Sequence, residues 1–249
     1  GAMRRVFAHE ATKMRRFEDR ACKRANGVIA VSERDAGIFR DEFGAATALA
    51  IPTGVDAGYF RFSPPEANAP PTLVFIGSMD WKANQDGLFW FMDEVWPLIA
   101  AKRADASFTV IGKNPPRAMI ERAAAKNLTW RFTGFVDDIR EHAAGACCVI
   151  PLRIGGGTRI KAFEAMAMGL PVVSTALGVE GLPVTSGEHF LLADAARDFA
   201  DAALRLISEP ALRAELAQRA RRLVEGNFSQ QAAAKIFEQN CLAILAAAR

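Results

Sequence analysis

The stretch Cys148–Thr175, CVIPLRIGGGTRIKAFEAMAMGLPVVST, reads as strand, glycine-rich turn, helix and second strand. Cys148 to Leu152 is a short apolar run that ends at a turn, the pattern of a strand buried on both faces. Gly155, Gly156 and Gly157 take every side chain away where the backbone reverses, and Thr158 has the chemistry of a helix N-cap. From Arg159 to Met168 helix formers dominate, with Ile160, Phe163, Ala167 and Met168 on one apolar face. Gly169 closes that helix and Pro171 prevents its continuation. A glycine turn feeding a helix leaves unpaired N–H groups at the positive end of the helix dipole, a place that attracts phosphate. Arg159 and Lys161 oppose that dipole, and a bound diphosphate is a reason for them to be there. A tight connection with two solvated cations stays open on the residues alone.

Working outward, the same alternation repeats on both sides. Leu73 to Gly77, Ser107 to Gly112, Leu128 to Thr133 and His189 to Leu192 are strand-like. Residues 87–102, 116–126 and 138–144 are helical between them, and helices over 195–208, 211–227 and 229–248 follow. Strands and helices alternating at this spacing predict an α/β fold, a doubly wound parallel sheet. The exits at Gly77, Gly112, Gly134 and Gly155 to Gly157 then share the carboxyl edge of the sheet, where ligands of such sheets bind. Before Thr72, residues 4–25 form a basic amphipathic helix, 27–32 a strand, and Ser32 caps a helix that ends near Phe43. Ala48 to Ile51 is extended, and the proline-rich residues 63–71 carry no pattern. One strand cannot make a core, so the first 50 residues look like the end of a larger domain.

The chain has 249 residues, half hydrophobic and a quarter charged, with a net charge of +3. That is a globular composition with no electrostatic case for nucleic acid as a partner, although Arg and Lys crowd the first 24 residues. Four cysteines without metal spacing (Cys22, Cys147, Cys148, Cys241) suit reduced thiols and a cytoplasmic location. His9, His142 and His189 form no triad or ligand spacing. Neither G-x-G-x-x-G nor a Walker loop is present: Gly77 stands alone after its strand, and GGGTRIK lacks the Gly-Lys-Ser/Thr ending.

Three clusters remain as candidate sites. Glu164, six residues after Thr158, can receive ribose hydroxyls; an ordinary exposed helix glutamate is the alternative. Gly77, Ser78 and Lys82, with the backbone N–H groups of Ser78 and Met79, can meet phosphate or sugar; a plain strand–helix loop with Trp81 at the surface is the alternative. Phe135 and Val136 offer a planar base an apolar seat, while Asp138 caps the next helix.

The segments VIAVSERDA, IPTGVDAGYF, VFIGSMDWKAN, FTGFVDD, PLRIGGGTRIKAFEAMAMGLPVVST and GEHFLLAD, in this order, resemble the retaining glycosyltransferases of family 4, which have the two-domain GT-B fold. The resemblance covers nearly the whole chain and implies four parts. Residues 72–228 would be the Rossmann-like, nucleotide-sugar-binding domain, and 4–50 a remnant of the acceptor-binding domain. Residues 51–71 would be the linker, and 229–249 a helix crossing back to that remnant, packing against the first helix.

The resemblance also implies roles. Glu164 matches the second glutamate of a Glu-x7-Glu motif and would hold the donor ribose; the first glutamate position is Gly156, a departure from the family. Gly156, Gly157 and Thr158 would present backbone amides to donor sugar or phosphate. The family's diphosphate arginine position is Ser78, and Lys82 is near but not at its lysine position, so Arg159 and Lys161 would take over that charge. Phe135 and Val136 would face the base. The implied activity is retaining hexosyl transfer from a nucleotide-diphosphate sugar, without metal or other cofactor, in surface polysaccharide or glycolipid synthesis. The acceptor, a glycan or lipid-linked glycan, would bind through the other domain, with peripheral contact to the inner face of the membrane. The family's catalytic-side histidine belongs to that domain, so donor binding without appreciable transfer is expected of these residues alone. A non-catalytic sugar-nucleotide or protein-binding module on the same scaffold is the rival that Gly156 and Ser78 favour.

Overall fold

The computed structural model describes residues 2–247, which form two compact units. One contains the residues up to Gly54 together with those from Gln230 onward; the other is Val55–Ser229.

In the first unit, α1 (Ala2–Arg24) leads into β1 (Val28–Ala30), α2 (Glu33–Asp41) and β2 (Ala48–Ala50), and α10 (Gln230–Ala247) closes the chain. The two strands pair in parallel. Ser32 caps α2 as its sequence predicts: its hydroxyl accepts from the Asp35 N–H and donates to the Asp35 carboxylate. The small core consists of Cys22, Ala30, Ala36, Phe43, Ala45 and Ala48. A Cβ on Gly27 would stand 2.4 Å from Ile244 Cδ1, so α10 passes directly over the turn before β1. The expected seam between the apolar faces of the first and last helices is not formed by the large side chains. Val6, Phe7, Met14 and Phe17 of α1 and Phe237, Leu242 and Leu245 of α10 are all exposed.

The second unit is built on β3 (Thr72–Ile76), β4 (Ser107–Ile111), β5 (Trp130–Gly134), β6 (Cys147–Ile150), β7 (Val172–Ser174) and β8 (Leu191–Leu192). They form one six-stranded sheet in the order β5-β4-β3-β6-β7-β8, parallel throughout. Alternate residues point to opposite faces, and each face has its own core. Leu73, Phe75, Phe108, Val110, Cys147 and Val149 belong to one; Val74, Ile76, Ile111, Cys148 and Ile150 belong to the other. The first face is covered by α3 (Lys82–Trp90), α4 (Trp96–Lys102), α5 (Arg117–Ala125) and α8 (Ala196–Ser208). Its centre is an aromatic cluster of Phe91, Trp96, Phe108, Trp130 and Phe199. The second face is covered by α6 (Ile139–Ala143), α7 (Ile160–Met168) and α9 (Pro210–Asn227).

Three features differ from the sequence expectation. The helix expected over 87–102 starts five residues earlier, at Lys82, and a π-helical turn, Phe91–Val95, separates α3 from α4. Pro97 explains the turn. A proline inside a helix lacks its N–H and collides with the carbonyl four residues before it; the wider turn, in which the Trp96 N–H reaches back to the Phe91 carbonyl, opens the backbone at that point. The helix expected from Thr158 has Arg159 at its N-cap, and no side chain caps it. The segment expected as a linker has no regular structure, yet from Val55 onward it is lashed to the second unit. Val55 donates to the Phe228 carbonyl and Ser63 to the Met168 carbonyl. Arg221 donates to the carbonyls of Ala57, Phe60 and Ala167, and Arg213 to those of Glu66, Ala67, Leu206 and Ile207. Two arginines of α9 thus supply the donors that a proline-rich segment and two helix C-termini lack.

Removing one of them strands several carbonyls that are partly or fully enclosed. Arg213→Ala is expected to cost about 3 kcal/mol, which lowers the melting temperature by roughly 6–12 °C in a chain of this size. Thermal unfolding followed by circular dichroism checks this, and a loss under 2 °C (about 0.5–1 kcal/mol) would remove Arg213 as the pin.

Candidate functional site

The strand order fixes where a ligand fits. The chain runs outward from β3 through β4 to β5, then returns to lay β6 against the other side of β3. At such a switch the loops leaving the two central strands diverge to opposite faces and open a crevice at the carboxyl edge. The two loops here are Gly77–Trp81 after β3 and Pro151–Arg159 after β6.

Glycine is required in several of these backbone positions by contact. A Cβ on Gly112 would stand 2.0 Å from the Gly77 carbonyl oxygen, and one on Gly155 3.0 Å from the Ala83 Cβ. Gly157 has φ +90°, a left-handed geometry that disfavours any side chain. Gly156 has neither restriction: nothing lies within 4 Å of a Cβ built there. The loop is therefore held close to α3 at one end and is open above its middle.

Arg159 gives the loop its shape. Its side chain is 4% exposed and turns back to donate to the Gly156 carbonyl at 3.0 Å and the Gly155 carbonyl at 3.1 Å. Glu180 lies 3.6 Å from the same guanidinium. The expectation had Arg159 facing a diphosphate; in this structure it clamps its own loop. Thr158, expected as the cap, is exposed and makes no such bond because the cap position falls one residue later. The first N–H groups of α7 are left without a side-chain acceptor.

Lys161 is the cation that reaches the crevice. Its ammonium donates to Asn84 Oδ1 at 2.7 Å, sits 4.6 Å from the centre of the Phe75 ring, and lies 3.1 Å from where a Gly77 Cβ would be. It thus crosses from the β6 side of the switch to the β3 side. Burial lowers its pKa to about 8. One turn further along α7, Glu164 is half-buried, with its carboxyl pKa raised by burial and held back by Lys161. Among the described residues its carboxylate has no hydrogen-bond partner.

The β3 loop is tightly tied. Ser78 Oγ donates to Asp80, which also accepts from Asn114 and pairs with Lys113. The Met79 N–H donates to the Lys113 carbonyl and so is not available to a ligand, contrary to the sequence expectation. Lys82 is exposed at the start of α3. On the far side of β4, Phe135 leaves β5 and is 75% exposed, after Gly134 at φ +70°. Val136 packs down on the core instead. Asp138 caps α6 through the Arg140 N–H, as its sequence predicts. The strand that Phe135 leaves, β5, is two places from β3 in the sheet, a backbone separation of about 10 Å.

Sequence reasoning gave no role to Asn84, the last residue of the VFIGSMDWKAN segment, which is buried beside Lys161, nor to the Arg159–Glu180 pair. The cysteines Cys147 and Cys148 are buried in β6, with thiol pKa values raised to about 12 by burial, and are inert packing groups. Among the described residues no helix is long and apolar enough to cross a membrane.

The family described as "Glycosyl transferases group 1" matches residues 70–209, more than half of the chain and the whole of the sheet with its site loops. The 2-deoxystreptamine glucosyltransferase of Streptomyces kanamyceticus is 32% identical over 190 residues, covering 68% of this chain and 46% of the relative. A 44.6 kDa protein in the cps region of Klebsiella pneumoniae is 25% identical over 176 residues, 68% of this chain and 45% of the relative. The chain thus spans about half the length of these relatives. Among solved structures, Anabaena HepE in complex with UDP and glucose superposes with a TM-score of 0.69 at 18% identity, over 88% of this chain and 64% of that one. The crevice at the β3–β6 switch therefore stands in a Rossmann-like domain of GT-B architecture, and the chain belongs to the glycosyl transferases group 1 family.

Proposed function

We propose that this chain is the donor-binding half of a retaining, metal-independent glycosyltransferase of family 4, a hexosyltransferase that uses a nucleotide-diphosphate sugar. The observation that carries the reading is the partnerless, half-buried carboxylate of Glu164 beside Lys161, at a switch-point crevice with an uncapped helix end. Ribose hydroxyls are donors that suit such a carboxylate. The diphosphate would lie against the N–H groups of Gly157, Thr158 and the start of α7, with Lys161 as its counter-ion and Gly77 admitting it close to the backbone. Phe135 would stack on the base. HepE was solved with UDP and glucose, which supports a nucleotide and a sugar as ligands of this kind of domain. The relative from a cps region supports a role in building surface polysaccharide or glycolipid, and the glucosyltransferase relative supports hexosyl transfer.

The chemistry asked of this half is electrostatic. Departure of the diphosphate places negative charge on its oxygens, and fixed N–H groups with an ammonium stabilise that charge without reorganising. Arg159 serves by keeping the amide loop in shape. Residues up to Gly54 and from Gln230 onward would belong to the acceptor-binding side, with acceptor recognition and peripheral membrane contact on the remainder of a longer enzyme. The 249-residue chain by itself would bind donor without appreciable transfer.

Isothermal titration with UDP, GDP, ADP and TDP tests the reading: one of them binds, and Glu164→Ala weakens it about 10- to 100-fold, the worth of hydrogen bonds to a charged group. Absence of binding by all four, on this chain and on any longer form of it, sinks the proposal. Gly156 bears on the rival reading of a binding module without transfer, since the family carries a carboxylate there. Gly156→Glu meets no neighbour and is expected to leave the melting temperature within about 2 °C, whereas Gly157→Ala costs about 1–2 kcal/mol at its left-handed backbone. Gain of donor hydrolysis or transfer in Gly156→Glu alone would favour the binding module for the natural chain.

A further inference from the structure

We infer that Asn84 is the positioning residue for Lys161: its amide holds the lysine ammonium at the diphosphate crevice and keeps it oriented across the β3–β6 switch. The inference rests on the donor-site reading above and goes beyond it to a residue to which that reading gives no role.

Asn84 is in the first turn of α3 and is 6% exposed. Its two polar atoms do different work. Oδ1 accepts from Lys161 Nζ at 2.7 Å, and Nδ2 donates to the Ser78 carbonyl at 2.6 Å. Only one orientation of the amide satisfies both, because an ammonium has no acceptor and a carbonyl has no donor. The Ser78 carbonyl therefore fixes the amide, and the amide fixes the lysine. Aspartate lacks the donor, and apolar residues lack both groups.

The same geometry supplies what a buried cation needs. Burial disfavours the charged form of Lys161, and the neighbours acting on it are few. Cys148 of β6 lies below, Arg159 repels it from the loop, and Glu164 attracts it from the next turn of α7. Phe75 of β3 adds its ring face, and α3 contributes the neutral amide of Asn84. A neutral acceptor steadies the ammonium without cancelling the charge that an anionic ligand needs. A carboxylate in its place would hold the charge more strongly but compete with the diphosphate.

The test is the pH profile of nucleoside-diphosphate binding, by titration calorimetry from pH 7 to 9 with UDP, GDP, ADP and TDP. In the wild-type chain, affinity falls as pH rises through about 8, where Lys161 loses its proton. Asn84→Ala is expected to weaken binding at pH 7 by on the order of tenfold and to move the fall to lower pH. Asn84→Asp, nearly isosteric, is expected to weaken it also but to move the fall to higher pH. Lys161→Met abolishes the fall, and Asn84→Ala added to Lys161→Met costs little more, because the two act as one unit. A merely structural Asn84 would lower stability and affinity without moving the profile, and its effect would add to that of Lys161→Met; that result overturns the inference. Should Asn84→Ala not fold, the opposite movement in Asn84→Asp decides alone. Wild-type binding that is lost in Glu164→Ala but has an unmoved profile in both Asn84 variants rejects Asn84 and leaves the donor site standing. No wild-type binding at all rejects both.

Discussion

The site depends on one constraint: two neighbouring parallel strands whose continuing loops must go to opposite faces of the sheet. β3 sends its chain to α3 on one face, and β6 sends its chain to α7 on the other. Neither loop can cover the edge between them, so the edge is open at every such reversal. Both faces of the sheet are buried, which makes that edge the place where a ligand can approach central backbone. The alternation of core residues along β3, with Leu73 and Phe75 to one side and Val74 and Ile76 to the other, sets this arrangement before any functional group is considered.

Close backbone approach comes next. Gly77 and Gly112 lie so near each other that a side chain on Gly112 would overlap the Gly77 carbonyl. The glycine loop sits on Ala83 at Gly155 and rises free of neighbours at Gly156 and Gly157. Arg159 is held by the loop's own carbonyls, and Lys161, two residues on, reaches across the switch to Asn84 instead. The division follows from direction along the helix: Arg159 stands at the cap and can fold back, whereas Lys161 is in the first turn and points to the β3 exit.

Much of this was legible in the chain. The short apolar runs and the strand–helix spacing give the parallel sheet, and Gly169 with Pro171 gives the end of α7. Ser32 and Asp138 read as caps from type and position, and both act as caps. The π-turn was not legible, because Pro97 stands in a run whose apolar spacing still suits one continuous helix. Nor were the pins on residues 57–67, whose donors are arginines some 150 residues later in sequence. Thr158 misled for a local reason: the loop runs one residue longer than its composition suggests, and the cap falls on Arg159.

The sequence by itself determined the alternating elements, the glycines at the strand exits and the presence of a carboxylate and two cations in and beside one helix turn, since each rests on local backbone chemistry or short periodicity. The tertiary structure alone decided that Arg159 folds back on its own loop while Lys161 reaches across to Asn84, and that Phe135 stands exposed on a strand two away from β3. Those facts depend on which strands become neighbours and on how far a side chain reaches between elements distant in sequence. Hydrogen bonds across 77 residues, such as that of Lys161 to Asn84, leave no period in the chain.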